Sequence, residues 1–236
     1  MGHAGTSRRA VDRIASWVVG GRYAPGESLP VEAALGQELE VSRTVVREAL
    51  KTLAAKGMVV TGPRRGTRVR PRTEWNHFDP DLVQWRINAG IDADFVRDLV
   101  TLRGAIEPAA ARLAAEACTD DDVAALYAAF EAMRRAADGQ GVFLQADLDF
   151  HHRVLTATHN QFFAGMAHVF SALLAVSIRL SVASVAGARA ALPVHRRVLD
   201  AIGAHDPAAA EKAMQALIAT ARKDLASHSG PQRATA

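Results

Sequence analysis

One cysteine, Cys118, in 236 residues leaves no internal disulfide to form and suits a reducing cytoplasm. Aromatic residues are scarce, 6% of the chain, so a composition that is 49% apolar must build its core mostly from Ala, Leu and Val. Such residues favour close-packed helices over a sheet-rich fold. The opening MGHAGTSRRA lacks the apolar centre of a signal peptide. Gly-rich phosphate loops and nucleophile motifs are missing, which speaks against an enzyme. One long apolar run, 162–187, raises the question of a membrane span. It contains His168, Arg179 and several serines without a cluster of flanking basic anchors, and so reads as the central helix of a soluble bundle, with no membrane partner.

Net charge is small, 28 − 25 = +3, but it is unevenly placed. Through residue 72 there are 13 Lys or Arg against 6 Asp or Glu, and beyond it 15 against 19. A basic module that meets a polyanion, joined to a mildly acidic one, fits that asymmetry.

Hydrophobic spacing divides the chain in the same way. A first helix is predicted over 8–20, then a breaker-rich connection, GGRYAPGESLP, with Pro30 in the first turn of a short second helix. A third helix, VSRTVVREALKTLAAKG (41–57), stops at Gly57. The period then shortens, and MVVTG and GTRVRP flank GPRR as a hairpin with a basic tip. Three helices and this wing make a winged helix-turn-helix over 1–72, followed by a linker at 73–78. Residues 79–228 carry only helical periodicity and form a second domain with helices at 79–89, 92–117, 120–137, 141–158, 161–187, 190–204 and 206–227. Thr119 before three aspartates marks a helix start, and Pro193 and Pro207 sit near the starts of the last two helices. A disordered tail is expected at 229–236.

The third helix buries Val45, Val46, Ala49, Leu50 and Leu53 on one side and offers Arg43, Thr44 and Arg47 on another. The run from Gly21 through Pro25-Gly26, Leu29-Pro30, Glu32 and VSRTVVREAL to GMVVTGPRRGTRV resembles the GntR family of bacterial transcription regulators. LRGAIEP and DLDFHHRVLTATHN look like its FadR-type effector domain, the FCD domain, so the predicted fold is mainly α: a winged helix-turn-helix followed by an all-helical bundle. The resemblance implies a recognition helix in the major groove, where Arg43 and Arg47 reach guanines or phosphates and Ser42 and Thr44 donate to phosphate. Arg64, Arg65 and Gly66 suit a minor-groove or backbone contact from the wing tip. Many FadR-type members carry Arg after the Glu of LP-x-E, where this chain has Ala33.

In the second domain Asp147 and His151 stand four apart and share a helix face, and His195 lies on a later helix. Metal-containing FCD domains hold a divalent ion with an aspartate and three histidines. Asp147, His151 and His195 match three of those positions, while Leu217 falls at the fourth. Three such ligands can hold zinc, nickel, manganese or iron with open positions; the alternatives are a metal-free polar cluster, as in acyl-CoA-sensing relatives, or substitution by His168. His152 is rotated away from the pair and expected to be exposed. Arg103 and Arg179, in apolar helices, need an anion, solvent or an internal partner, which for Arg103 is Glu107 at i+4. They are candidates to hold an effector carboxylate. Asn160 either binds the effector or caps the long helix. WNHFDPDLVQWRINAG resembles the domain start of regulators that respond to sugar acids. The expected function is a ligand-responsive regulator, a repressor of a catabolic operon, acting as a homodimer on palindromic operator DNA and sensing a small carboxylate. The competing readings are a metal-dependent enzyme using the Asp-His-His cluster and a regulator responsive to fatty acyl-CoA.

Overall fold

The computed structural model describes residues 3–62, 66–182 and 184–228, and the chain divides into two units, Met1–Ile91 and Asp92–Ala236. In the first, α1 (His3–Val19) turns Ala10, Val11, Ile14, Ala15 and Val18 inward at helical spacing and leaves Arg8, Arg9 and Arg13 exposed. It begins at His3 rather than at residue 8. The short α2 (Glu32–Glu38) has Val31 as its N-cap, so Pro30 lies just outside the helix instead of in its first turn.

In α3 (Arg43–Ala55), the Ser42 hydroxyl accepts the Val45 N–H at 3.4 Å, and the five apolar residues named above form the buried face. Gly57, at φ +75°, turns the chain out of α3, and its close backbone approach to Glu74 leaves no room for a Cβ. The wing is an antiparallel pair, β1 (Val59–Gly62) and β2 (Gly66–Val69), with Val59 opposite Val69 and Thr61 opposite Thr67.

The expected linker at 73–78 is instead packed into this unit. After a 3-10 turn at Arg72–Glu74, Trp75 is buried and donates its indole N–H to the Arg70 carbonyl at 3.0 Å. Helix α4 (Pro80–Ala89) is capped by Asp79 and, although read from sequence as the start of the second domain, belongs with the first unit. Leu82 and Trp85 join its core. The Trp85 indole donates to Asp12 at 2.9 Å, and Lys56 bridges the Asp79 and Asp81 carboxylates at 2.7 and 2.8 Å.

The second unit is helical throughout its described residues: α5 (Ala93–Ala117), α6 (Asp120–Ala137), α7 (Phe143–Thr156), α8 (Gln161–Ser181), α9 (Val185–Gly203) and α10 (Pro207–His228). Ala110, Ala111 and Ala114 of α5 present a smooth buried face, and Met214 and Ile218 of α10 join the same core. Thr119 and Asp122 form a reciprocal capping box at the start of α6. The helix expected over 161–187 is two helices. The Ser184 hydroxyl accepts the Gly187 N–H at 3.1 Å and starts α9 there, which places Pro193 inside α9 rather than near its start. By length and composition α8 could cross a membrane, but Ala167, Phe170, Leu174 and Ile178 bury its inner face in the bundle.

Candidate functional site

Two polar sites stand out, one exposed and one buried. On the first unit, capping by Ser42 fixes where α3 starts, and this puts Arg43, Thr44 and Arg47 on its solvent-facing first turns. The Ser42 hydroxyl accepts a backbone N–H and keeps its own O–H to donate. Arg47 is engaged from the side by Glu32: Nε donates to Oε1 at 3.3 Å and Nη2 to Oε2 at 3.1 Å. Gly66, at φ +69°, opens β2 at the wing with nothing crowding its Cα. Arg64 and Arg65 lie outside the described residues. Donors at the start of an exposed helix can meet phosphates and base edges, and a glycine at the wing lets backbone approach closely.

In the second unit, a cavity of about 280 Å³ is walled by α5, α7, α8, α9 and α10. Asp147 and His151 from α7, His195 from α9 and Arg103 from α5 all reach it and are all buried. Asp147 Oδ1 lies 3.2 Å from His151 Nε2 and 3.2 Å from His195 Nε2. The far side of each ring faces another acceptor. His195 Nδ1 is 2.8 Å from the Ala191 carbonyl, and His151 Nδ1 is 2.8 Å from Glu107 Oε2, in a close ionic approach that lacks hydrogen-bond alignment. Arg103 donates Nε to Glu107 Oε1 at 2.6 Å, Nη2 to Oε2 at 3.2 Å and Nη1 to the Ser177 hydroxyl at 2.6 Å.

Burial alone would push these carboxylates up and the histidine down, but their neighbours prevail. Against its desolvation, Glu107 is held at about 2 by Arg103 and His151. Asp147 is held far below the carboxylate range by His195 and His151. His151 is lifted to about 9 by Glu107 and Asp147. In the neutral tautomers that carry the proton on Nδ1, on the Ala191 and Glu107 sides of the two rings, two Nε2 lone pairs and a carboxylate oxygen converge. Three acceptors in that arrangement require a cation between them, either protons or a metal, and an N, N, O donor set suits a divalent transition metal. All three donor atoms lie within 4.8 Å of one another. Leu217 presents an apolar surface to the same cavity, and Thr220, one turn further along α10, is also in its wall.

The structure thus gathers Asp147, His151, His195 and Arg103, and adds Glu107 as the link between them. From sequence, Glu107 reads only as a pairing partner at i+4 of Arg103; its contact with His151 depends on how α5 meets α7. Arg179 is exposed near the end of α8, and the Asn160 side chain caps that helix by accepting the Phe162 and Phe163 N–H groups at 2.9 and 3.4 Å. Neither residue is in the cavity wall. His168 is exposed and stacks its edge on the half-buried His152, ring centres 5.4 Å apart, away from the cluster.

Residues 6–69 match the bacterial regulatory proteins of the gntR family, and residues 98–220 match the FCD domain. The chain is 34% identical over 218 residues to the galactonate operon transcriptional repressor of Escherichia coli K12, covering 92% of this chain and 95% of that protein. It is 31% identical over 221 residues to the putative L-lactate dehydrogenase operon regulatory protein of the same organism, covering 89% and 82%. Among solved structures it resembles Lar, which controls the expression of the Listeria monocytogenes agr system, with a TM-score of 0.69 and 19% identity over 94% of this chain and 96% of that one. Escherichia coli McbR/YncC gives a TM-score of 0.55 at 16% identity, over 95% and 99%. The two structural likenesses speak for the fold alone.

Proposed function

The chain belongs to the GntR family of bacterial regulatory proteins and carries an FCD domain; from that premise we propose that it represses a catabolic operon until a small hydroxy-acid, such as a sugar acid, enters the buried cavity. It is a DNA-binding transcription regulator and not a metal-dependent enzyme, since both domains and the named relatives are those of regulators. The observation that carries the sensing proposal is the convergence of Asp147, His151 and His195 on one wall of a cavity that Arg103 also lines.

About 280 Å³ is small beside the roughly 300–1,000 Å³ of ordinary ligand pockets, and so suits a compact acid better than an acyl-CoA. Three of the five Arg103 N–H donors are used on Glu107 and Ser177, leaving two for an effector oxygen. A divalent metal held by Asp147, His151 and His195 would supply Lewis acidity for chelating a hydroxy-carboxylate, and Leu217 leaves its fourth side to the ligand. The similarity to a galactonate operon repressor supports the same class of acid here. The protein would act in the cytoplasm as a homodimer on a palindromic operator, with Ser42, Arg43, Thr44, Arg47 and the wing around Arg64, Arg65 and Gly66 meeting DNA.

A thermal-shift titration with sugar acids, hydroxy-acids and acyl-CoAs, with and without chelator, tests this. Stabilisation by one small acid, lost with chelator and matched by release of bound DNA, is the expected result. A response to acyl-CoA alone would overturn the effector class, and stabilisation that survives chelator would remove the metal from the proposal.

A further inference from the structure

Among the exposed residues of α3, Arg47 and Arg43 differ in one respect. Both stand on solvent-facing turns, but Arg43 has no carboxylate partner among the described residues, whereas Arg47 is gripped by Glu32. Glu32 is the first residue of α2, a helix anchored by the fully buried Leu35, so its carboxylate projects from a fixed backbone toward α3.

The grip has a defined geometry. Glu32 takes the side edge of the guanidinium, Nε–H and one Nη2–H, and leaves the end edge, formed by Nη1 and the other Nη2 hydrogen. That end edge is itself a two-pronged donor matching guanine O6 and N7. Two consequences follow. The plane and direction of the fork are set before DNA arrives, which lowers the ordering cost of base recognition. The neighbouring negative charge also offsets part of the attraction of Arg47 for a phosphate, which favours a base contact that uses the end edge over indiscriminate backbone contact.

We propose that Glu32 is a specificity-determining positioning residue, holding Arg47 as an end-on reader of guanine while leaving Arg43 to bind phosphate or base unguided. This rests on the reading of Arg47 as a DNA contact.

The test uses the full-length protein. Duplexes selected from a randomised library by wild type, Glu32→Gln and Arg47→Ala are sequenced. Affinity for the selected consensus and for a scrambled duplex is then measured by fluorescence anisotropy across a salt series. Glu32→Gln keeps the side-chain shape but removes the charge and one strong acceptor. It is expected to weaken the preference for G·C at one position per half-site and to raise scrambled-duplex affinity about fivefold, with a salt slope steeper by about one phosphate contact. Arg47→Ala should erase the same position, and Glu32→Ala combined with Arg47→Ala should match Arg47→Ala alone. Glu32→Asp, which retains the charge, should keep the salt slope of wild type. A Glu32→Gln protein with the consensus and salt slope of wild type would overturn the positioning role while leaving Arg47 as a DNA contact. An Arg47→Ala protein that selects the same consensus would overturn the underlying reading. A purely structural role for Glu32 would lower the melting temperature and weaken both duplexes equally, and this too would overturn the proposal.

Discussion

Replacing Glu107 by Gln keeps the size and shape of the side chain and removes one charge from a buried set containing Arg103, His151 and Asp147. The Glu107 carboxyl is held at about 2 against an ordinary 4.5, a difference that corresponds to about 3 kcal/mol at roughly 1.36 kcal/mol per pH unit. That agrees with the roughly 3–5 kcal/mol lost when one partner of a buried ion pair is removed. At about 2–4 °C per kcal/mol, the melting transition of the helical unit should fall by roughly 6–12 °C at pH 7. Metal-free protein in chelator, followed by circular dichroism, is the appropriate sample. The pH dependence sharpens the test. Stabilisation by Glu107 is fully present above about 4.5 and is lost as pH falls toward 2. His151, raised to about 9 from 6.5, stabilises fully below about 6.5, and that contribution is lost as pH rises through 9. Since Glu107 leads the effects that raise His151, the Gln variant should lose the Glu107 share of the acid decline, keep that of Asp147 and show a much shallower alkaline decline. A fall of less than about 2 °C, or an unchanged alkaline decline, would refute the packing of Glu107 between Arg103 and His151.

Gly57→Ala should destabilise the first unit by about 2 kcal/mol or more, because the position combines a positive φ with a backbone oxygen where the Cβ would stand; a melt of the isolated transition with less than a few tenths lost would contradict the geometry. Leu217→His adds a fourth donor to the cavity wall and should tighten zinc at least tenfold in a competition with a chromophoric chelator; unchanged affinity would mean that residue 217 does not face the three donors. Zinc must displace a proton from His151, so wild-type zinc affinity should rise about tenfold per pH unit from 7 to 9 and then level off, with proton release visible as buffer-dependent calorimetric heat. A flat profile over that range would place the metal elsewhere.

Much of this was legible from residue spacing. The inward face of α3, its Ser42 cap and the hairpin after Gly57 are local features, written at periods of 3.6 and 2 with a glycine where φ must be positive. What escaped depended on partners distant in sequence. WNHFDP has the composition of a linker, and it takes burial of Trp75 and Trp85 in the core, with the Asp12, Lys56 and Arg70 contacts, to make this stretch part of the first unit. The break between α8 and α9 lies in SVASVAG, where no proline interrupts and only a serine hydroxyl marks the new start. Asp147 and His151 announce themselves by their i, i+4 spacing, whereas the arrival of His195 and the placement of Glu107 needed the packing of α9 and α5 on α7. From sequence, Arg103, with Glu107 at i+4, and Arg179 both read as cations in apolar helices and as candidates to hold an effector. Their difference is rotational phase, since Arg103 points into the bundle and Arg179 out of it.

The same pair of side chains serves opposite ends in the two units. Arg47 with Glu32 and Arg103 with Glu107 share one geometry, a carboxylate on the side edge of a guanidinium, although Nη1 of Arg103 also donates to Ser177. Surroundings separate them. Two unit charges about 4 Å apart attract by about 1 kcal/mol in water but by about 4 kcal/mol at the effective dielectric of a protein site. The exposed pair is therefore weak, and it can direct a fork without trapping it. The buried pair is permanent, so an effector carboxylate cannot take Arg103 from Glu107 and must approach its two remaining donors as a further negative charge. In a cluster that already balances Arg103 and His151 against Glu107 and Asp147, that charge calls for another cation. A divalent metal among Asp147, His151 and His195 would provide it, which is why the carboxylate and the metal belong to one binding event in the proposed sensor.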